Sequence, residues 1–242
     1  MMNFDKRIVY VVIAVIAFMG IVGFTQEKLL NLLLTLPGLL IAITFHEFAH
    51  AYAADKLGDD TPRIQGRLNL NPVSHLDPIG SILLLFAGFG WGKPVEVNPR
   101  NFDRKISMET GNAIVSVAGP LMNFILAIIF TIAYMIMYKF SYVFLFTQIG
   151  SIVEIILLST ITINIGLGVF NLLPLPPLDG SKIFIRFMPY NVKSWIYSHE
   201  QLFSIIFLVI WISGIAGYII SPVIHGLSEG LLWSVGKLFG IM

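Results

Sequence analysis

The sequence has 242 residues, of which 56% are hydrophobic and only 12% are charged, and its net charge is +1. Soluble domains carry about 25% charged residues, so this composition predicts an integral-membrane protein and gives no reason to expect a nucleic-acid partner. The chain contains no cysteine, which excludes disulfides and thiolate chemistry, so any bound metal would need histidine and carboxylate ligands.

Apolar stretches long enough to cross a bilayer recur along the chain. They predict five spans, at about 8–24, 29–54, 112–138, 149–173 and 201–220. A signal peptide is the alternative for the first, but no small-residue cleavage site follows it. A last apolar stretch at about 223–239 follows Ser221-Pro222 and carries charged residues, so a spanning and an interfacial helix both stay open for it.

The second predicted span carries two histidines and a glutamate in an otherwise apolar run, with the sequence HEFAH at His46–His50. On a helix, His46 and His50 lie one turn apart on the same face, so both rings can point at one metal ion. Glu47 lies about 100° further round the helix, where it can reach a water that the metal activates. Ionisable groups in a membrane span are costly, which favours a zinc-hydrolase motif over a chance match.

The segment 55–110 is polar and rich in glycine and proline. Its apolar part at 79–88 is too short to span, and we predict a re-entrant or interfacial segment there. The run Lys93–Asn98 predicts a short strand, whose edge around Val95 can pair with an extended peptide. His75 and Asp77 are open to two interpretations, a second metal site or turn-forming residues in a loop rich in proline and asparagine.

A metal site of this kind needs a third protein ligand, commonly a carboxylate or another histidine. Asp179 is the best candidate, because the run Pro174–Pro177 breaks the fourth span just before it. Gly180 then lets the backbone pass close to a neighbouring segment. The alternative is that Asp179 only caps a short helix predicted at 181–188.

Lysine and arginine are distributed unevenly between the loops. The N-terminus, the loop between the second and third spans and the segment after the fourth span are basic, whereas the opposite side has Lys28 and Lys139. The positive-inside rule therefore puts the N-terminus and both large loops in the cytosol of a multi-pass cell-membrane protein. His46 then lies about eight residues, or roughly 12 Å, from the cytosolic end of its span.

Three motifs resemble those of the site-2 protease family, the intramembrane zinc metalloproteases, in its compact prokaryotic form. They are the run His46–His50, the run Gly119–Asn123, and the run Asn171–Pro174 leading to Leu178–Gly180. The motifs come in the family's order, and the resemblance covers nearly the whole chain.

The resemblance implies roles for single residues. His46, His50 and Asp179 would bind one Zn²⁺ per chain, and Glu47 would be the catalytic base. Asn123 and Asn171 would hold the substrate backbone or the oxyanion, with simple interhelical hydrogen bonds as the alternative for both.

The expected fold is thus an all-α polytopic membrane bundle of five to six transmembrane helices, with a small β element at the cytosolic leaflet. We expect one metalloprotease domain over 1–242, with a first span and turn at 1–28, a catalytic core at 29–200 and C-terminal helices at 201–242. Its partners would be the bilayer and transmembrane proteins or peptides, cleaved near the cytosolic leaflet in a role that includes regulated proteolysis signalling. A metal transporter or sensor and an inactive membrane scaffold are the alternative functions.

Overall fold

The computed structural model describes residues 25–78, 80–81 and 92–241. The first predicted span, at 8–24, lies outside the described residues, as does the predicted re-entrant stretch apart from residues 80 and 81. The described α-helices are α1 (Gln26–Lys56), α2 (Thr61–Ile64), α3 (Pro72–His75), α4 (Met108–Phe140), α5 (Tyr142–Leu145), α6 (Gln148–Asn171), α7 (Asp179–Ile185), α8 (Tyr190–Ser198), α9 (Glu200–Ile212) and α10 (Ile215–Leu238).

Four helices in the described part of the chain, α1, α4, α6 and α10, are long and apolar enough to cross a membrane. The first three confirm the predicted second, third and fourth spans. Each begins at a hydroxyl N-cap, where the side chains of Thr25, Ser107 and Thr147 accept from backbone amides of the first turn. The helical membrane bundle is therefore confirmed, whereas a total of five to six spans is not.

The prediction for the C-terminal helices is wrong in its boundaries. The chain does not break at Pro222, which lies inside α10, but at Gly214, which adopts a left-handed conformation with φ of 76°. Helix α9 has 13 residues, fewer than the roughly 20 that a span needs, whereas α10 has 24. The predicted span at 201–220 is thus replaced by a span-length helix that begins at Ile215.

Helices α1, α4 and α6 form the core of the bundle, with α4 antiparallel to the other two. Close packing brings α1 against α6 at Gly38, where a Cβ would lie 2.6 Å from Thr160 Oγ1. One turn further along α1, the Ala42 carbonyl accepts a hydrogen bond from Asn123 of α4. This register puts the C-terminal half of α1 beside the N-terminal half of α4.

Helix α10 packs on α6 and α4. Its residues Ile224, Leu231 and Leu232 pack against a buried apolar cluster of α4 and α6, which consists of Ala127, Ile161 and Ile165. Near its C-terminal end, Lys139 Nζ of α4 donates to the Phe239 carbonyl over 2.6 Å. The C-terminal end of α10 therefore lies at the end of the bundle where α4 ends.

The run Lys93–Asn98 has no regular secondary structure. In this region the described residues contain one isolated antiparallel bridge, between Leu76 and Gly92. The predicted β element is therefore not confirmed. The run nevertheless contacts the C-terminal half of α1 through Glu47.

Candidate metal centre

Two histidines of α1 and the first residue of α7 meet inside the bundle. His46 Nε2 and His50 Nε2 are 3.0 Å apart, and Asp179 Oδ2 lies 3.2 Å and 3.0 Å from them. Both histidines are buried, and 14% of the Asp179 side chain is exposed. Within the described residues, these three form the one group of side chains suited to hold a metal ion.

The second nitrogen of each imidazole is fixed by a neighbour on α4. His50 Nδ1 lies 2.7 Å from the Val115 carbonyl, which can only accept, so this nitrogen carries the proton. His46 Nδ1 lies 2.7 Å from Asn123 Oδ1, which also accepts. Protonation at Nδ1 leaves the Nε2 lone pair of both rings directed at the cluster, as metal-binding histidines require.

Asp179 reaches the cluster because α6 ends at Asn171 and the chain then turns sharply. A Cβ at Gly180 would collide with the carbonyl oxygens of Leu172 and Leu173, so only glycine allows this close approach. The N-cap of α7 is Leu178, and the Asp179 carboxylate faces the histidines instead of capping the helix.

Gly119 of α4 lies directly against both imidazoles of the cluster. A Cβ at this position would lie 2.6 Å from His50 Cε1 and 2.7 Å from His46 Cε1, closer than real Cβ contacts come. Both imidazoles therefore occupy space that a side chain at position 119 would fill. The glycine of the Gly119–Asn123 motif has a steric role that the sequence pattern did not reveal.

The three ligand atoms fit a zinc ion. Zinc binds nitrogen and oxygen at roughly 2.0–2.2 Å in tetrahedral geometry, which puts neighbouring ligand atoms about 3.3 Å apart. The observed separations of 3.0 to 3.2 Å are close to that value. Two neutral imidazoles and one carboxylate are also a donor set of catalytic zinc sites, which keep a fourth position open.

Glu47 is half-buried on α1, next to the first histidine. Its Oε2 accepts a hydrogen bond of 3.0 Å from the Val95 backbone amide, so the run Lys93–Asn98 is in direct contact with this carboxylate. The bond orients one carboxylate oxygen, and within the described ranges the other oxygen accepts no hydrogen bond. Glu47 is therefore held in place, as a proton acceptor beside the cluster needs to be.

Comparisons with known proteins agree with this donor set. The model of the family described as Peptidase family M50 matches residues 145–213. The Bacillus subtilis (strain 168) protein named "Putative zinc metalloprotease YwhC" is 38% identical over 201 residues, which is 83% of this chain and 90% of that protein. The chain belongs to peptidase family M50.

Relatives with lower identity also align over most of this chain. "Putative zinc metalloprotease Rip2" of Mycobacterium tuberculosis (strain H37Rv) is 24% identical over 212 residues, or 86% of this chain and 74% of that protein. "Putative zinc metalloprotease MJ0611" of Methanocaldococcus jannaschii is 27% identical over 189 residues, or 77% and 86%. No solved structure matches the chain significantly. The resemblance to site-2 proteases is confirmed, and this M50 protein is a membrane-embedded zinc metallopeptidase.

The run Lys93–Asn98 of the peptidase is anchored at both ends. At its start, the Lys93 amide donates to the His75 carbonyl over 2.8 Å, and the Lys93 carbonyl accepts from the buried Arg67 guanidinium. At its end, the Asn98 amide donates to Asp59 Oδ2 over 2.7 Å. These anchors hold the run in place where the Val95 amide reaches Glu47.

Asp59 is fully buried, and its carboxylate accepts four hydrogen bonds from neighbouring residues. Its carboxylate binds the amide and hydroxyl of Thr61, the Asn98 amide and the Asn101 side chain. Burial tends to raise the pKa of Asp59, but these donors outweigh it and lower the pKa. Neither Asp59 nor Arg67 stood out in the sequence, because several of their partners, Lys93, Asn98 and Asn101, lie 26 to 42 residues further along the chain.

His75 and Asp77 are turn-forming residues in this peptidase. His75 is fully buried and its Nε2 bonds the Asn69 carbonyl over 2.8 Å, while Asp77 Oδ1 accepts from the Gly80 amide over 2.7 Å. Burial lowers the pKa of His75, and Arg67 adds to this effect. The alternative of a second metal site at these two residues is thus not supported.

The two predicted substrate-contacting asparagines have different surroundings. Asn123 is fully buried, and its amide makes hydrogen bonds with His46, the Ala42 carbonyl and Asn164. Asn123 supports the His46 ring in this structure, and its predicted substrate contact stays a prediction. Asn171 is half-buried, and its Nδ2 bonds the Leu167 carbonyl of its own helix over 3.1 Å, so its predicted role stays a prediction.

We expect one zinc ion per chain in the purified protein, measured by elemental mass spectrometry. His46→Ala should largely abolish zinc binding and Asp179→Ala should weaken it, because each removes one of three ligands. His225→Ala is the matched control, since His225 is exposed on α10 and outside the cluster. Full zinc occupancy in both ligand variants would contradict the ligand assignment.

Proposed function

We propose that this peptidase is an intramembrane endopeptidase that cleaves transmembrane segments of other proteins near the cytosolic leaflet. One observation carries the proposal: the cluster of His46, His50 and Asp179 is buried between span-length helices. His46 lies ten residues before the end of α1 at Lys56, about 15 Å along the helix axis. A substrate bond that reaches this depth belongs to a membrane-embedded segment.

The chemistry follows from the residues around the cluster. Zinc held by His46, His50 and Asp179 would polarise the scissile carbonyl and lower the pKa of a water towards neutrality. Glu47 is the residue beside the cluster that would accept a proton from the attacking water and pass it to the leaving amine. The Val95 amide keeps the Glu47 carboxylate oriented while it does so, and the Nδ1 bonds to Val115 and Asn123 hold the two imidazoles.

A substrate helix has to unwind before cleavage, because a helical carbonyl is already hydrogen-bonded within its own helix. The run Lys93–Asn98 is our candidate for holding the unwound segment by main-chain pairing. In extended backbone, successive residues direct their amide and carbonyl to opposite sides. Because Lys93 and Val95 bond inward, the exposed Pro94 and Glu96 face outward, and we take the Glu96 amide as a pairing group. The predicted role of Val95 stays a prediction.

Replacing Glu96 tests this edge. Glu96→Pro removes the outward amide, and we expect cleavage to fall roughly 2–10-fold, the effect of one net hydrogen bond. Glu96→Ala is the matched control, because it also loses the contact of the Glu96 side chain with Gln65 but keeps the amide. Both variants should keep zinc. Equal cleavage by the proline and alanine variants would count against pairing at this edge.

The basic loops support an active site that opens to the cytosol of a cell-membrane protein. Because the chain has no cysteine, single cysteines can report the orientation. Ile64 and Val143 are a matched pair, 76% and 80% exposed, at opposite ends of the bundle.

In intact cells, we expect the Ile64→Cys protein to react with a membrane-permeant thiol reagent and not with an impermeant one. The Val143→Cys protein should react with both, because the α4–α6 connection would face outwards. Labelling is read by mass shift on a gel. The opposite pattern would refute the orientation.

Cleavage within the membrane is tested with purified protein reconstituted in vesicles together with single-span substrates. Mass spectrometry of the products should place the cut inside the apolar segment, on the side of the basic loops. The same sequence presented as a soluble peptide is the comparison, together with the Glu47→Gln protein as a blank. Cleavage confined to the soluble peptide would contradict an intramembrane protease.

A further inference from the structure

Behind His46, two asparagines from different helices form a fully buried chain of hydrogen bonds. Asn123 Oδ1 lies 2.7 Å from His46 Nδ1, and Asn123 Nδ2 donates to Asn164 Oδ1 over 3.0 Å. Asn164 Nδ2 in turn donates to the Thr160 carbonyl of α6 over 2.9 Å. The chain therefore runs from α6 through α4 to a histidine on α1.

The direction of this chain is set by backbone groups that can only accept. The Thr160 carbonyl requires the Asn164 NH₂ group, so Asn164 turns its oxygen towards Asn123. Asn123 therefore donates to that oxygen from its own NH₂ group, which also donates to the Ala42 carbonyl over 3.1 Å. The Asn123 oxygen is then the group that faces His46, and His46 Nδ1 has to be the donor.

We propose that Asn164 is a positioning residue of the metal centre, which acts through Asn123 to hold His46 with its Nε2 lone pair towards the cluster. If Asn123 were reversed, its NH₂ group would face Nδ1, and the proton of the neutral ring would sit on Nε2, where it blocks metal binding. The inference rests on the proposed ligand role of His46. It goes further because, in the described part of the chain, Asn164 makes no hydrogen bond to the cluster, and Asn123 is its one hydrogen-bond partner in the three recognised motifs.

The close packing of α1, α4 and α6 explains why this chain of hydrogen bonds can form. Gly38 lets α1 approach α6 so closely that a Cβ would lie 2.8 Å from Thr160 Cα. That approach brings the Ala42 carbonyl, one turn along α1, within reach of Asn123. No water is needed to complete the chain, since each of its NH₂ groups and oxygens already has a protein partner. Leaving a buried amide without a partner costs about 1–3 kcal/mol of stability. The two asparagines of this hydrogen-bonded chain therefore hold each other in a single orientation.

The test is the zinc affinity of the full chain in detergent, measured by competition with a chelator, together with the visible absorption of the cobalt-substituted protein. Asn164→Leu removes both amide functions at similar volume, and we expect zinc affinity to fall about 10-fold, at the lower end for residues that support metal ligands. The cobalt bands should shift, because they report the geometry at the metal. Asn164→Ala makes the same comparison if N164L cannot be isolated.

Two further variants separate positioning from general stability. Asn164→Asp, in its protonated form, can still donate to Thr160 and accept from Asn123, so it should restore wild-type affinity and spectrum. Thr131→Val also removes a fully buried polar group from the bundle, on α4, but away from the chain, and it should change neither.

Wild-type affinity and spectrum in N164L would overturn the inference, and so would equal losses in N164L and N164D or in N164L and T131V. The ligand assignment itself fails by a different result, namely unchanged zinc affinity in His46→Ala. The two failures are therefore distinguishable within one set of measurements.

Discussion

The Glu47→Gln protein is expected to keep its zinc and to lose at least roughly 10²–10⁴-fold of its peptide-hydrolysis rate, the usual effect of removing a general base. Glutamine has the shape of glutamate, and its oxygen can still accept the Val95 amide, so the local structure should persist. What it cannot do is take a proton from water. Rate is measured with reconstituted protein and a transmembrane substrate, and zinc by elemental mass spectrometry.

The matched control is Glu154→Gln, the same substitution in a span of the same bundle. Glu154 lies on α6, where its Oε1 accepts from the Tyr134 hydroxyl over 2.8 Å, and glutamine can accept that bond as well. Cleavage should be unchanged in this control. A metal transporter or a membrane scaffold would be nearly indifferent to E47Q, so cleavage at wild-type rates in E47Q would refute the role of Glu47 as the base.

Gly119→Ala is expected to weaken zinc binding by about 10–100-fold or more, the range for disturbed support of metal ligands. The added methyl group would lie 2.6–2.7 Å from the Cε1 atoms of both imidazoles. Neither ring can retreat without breaking its Nδ1 bond to Val115 or Asn123. Helix propensity acts in the opposite direction, since alanine favours a helix over glycine by about 1 kcal/mol, so a loss of zinc would not reflect a weaker α4.

Gly230→Ala on α10 is the matched control, because a Cβ there would meet nothing within 4 Å. This variant should bind zinc like the wild type, as measured by competition with a chelator. Cleavage should follow zinc content in both variants when each is assayed at several zinc concentrations. Wild-type zinc affinity in G119A would mean that the two imidazoles are not held against α4.

Local patterns in the sequence determined a large part of the fold and the centre of the site. A spacing of four residues on a helix places His46 and His50 on one face whatever surrounds them. Apolar length predicts α1, α4 and α6 as spans, because a bilayer sets the length of helix that crosses it. The proline run before Asp179 stops α6, and Gly180 permits the close turn that brings this carboxylate back.

The tertiary structure alone decided how these pieces face one another. The Gly119–Asn123 motif alone allows Asn123 to contact a substrate or to hold two helices together. Only the register of α1 against α4 places its side chain next to His46. Val95 looked like a free edge, but the anchors of its run direct its amide at Glu47. Gly214 and Pro222 could each interrupt the C-terminal helices, and the left-handed turn at Gly214 is the break that forms. The physical reason is common to all three: sequence periodicity defines which face of a segment is apolar, whereas the depth and rotation of one segment against another depend on close contacts between residues far apart in the chain.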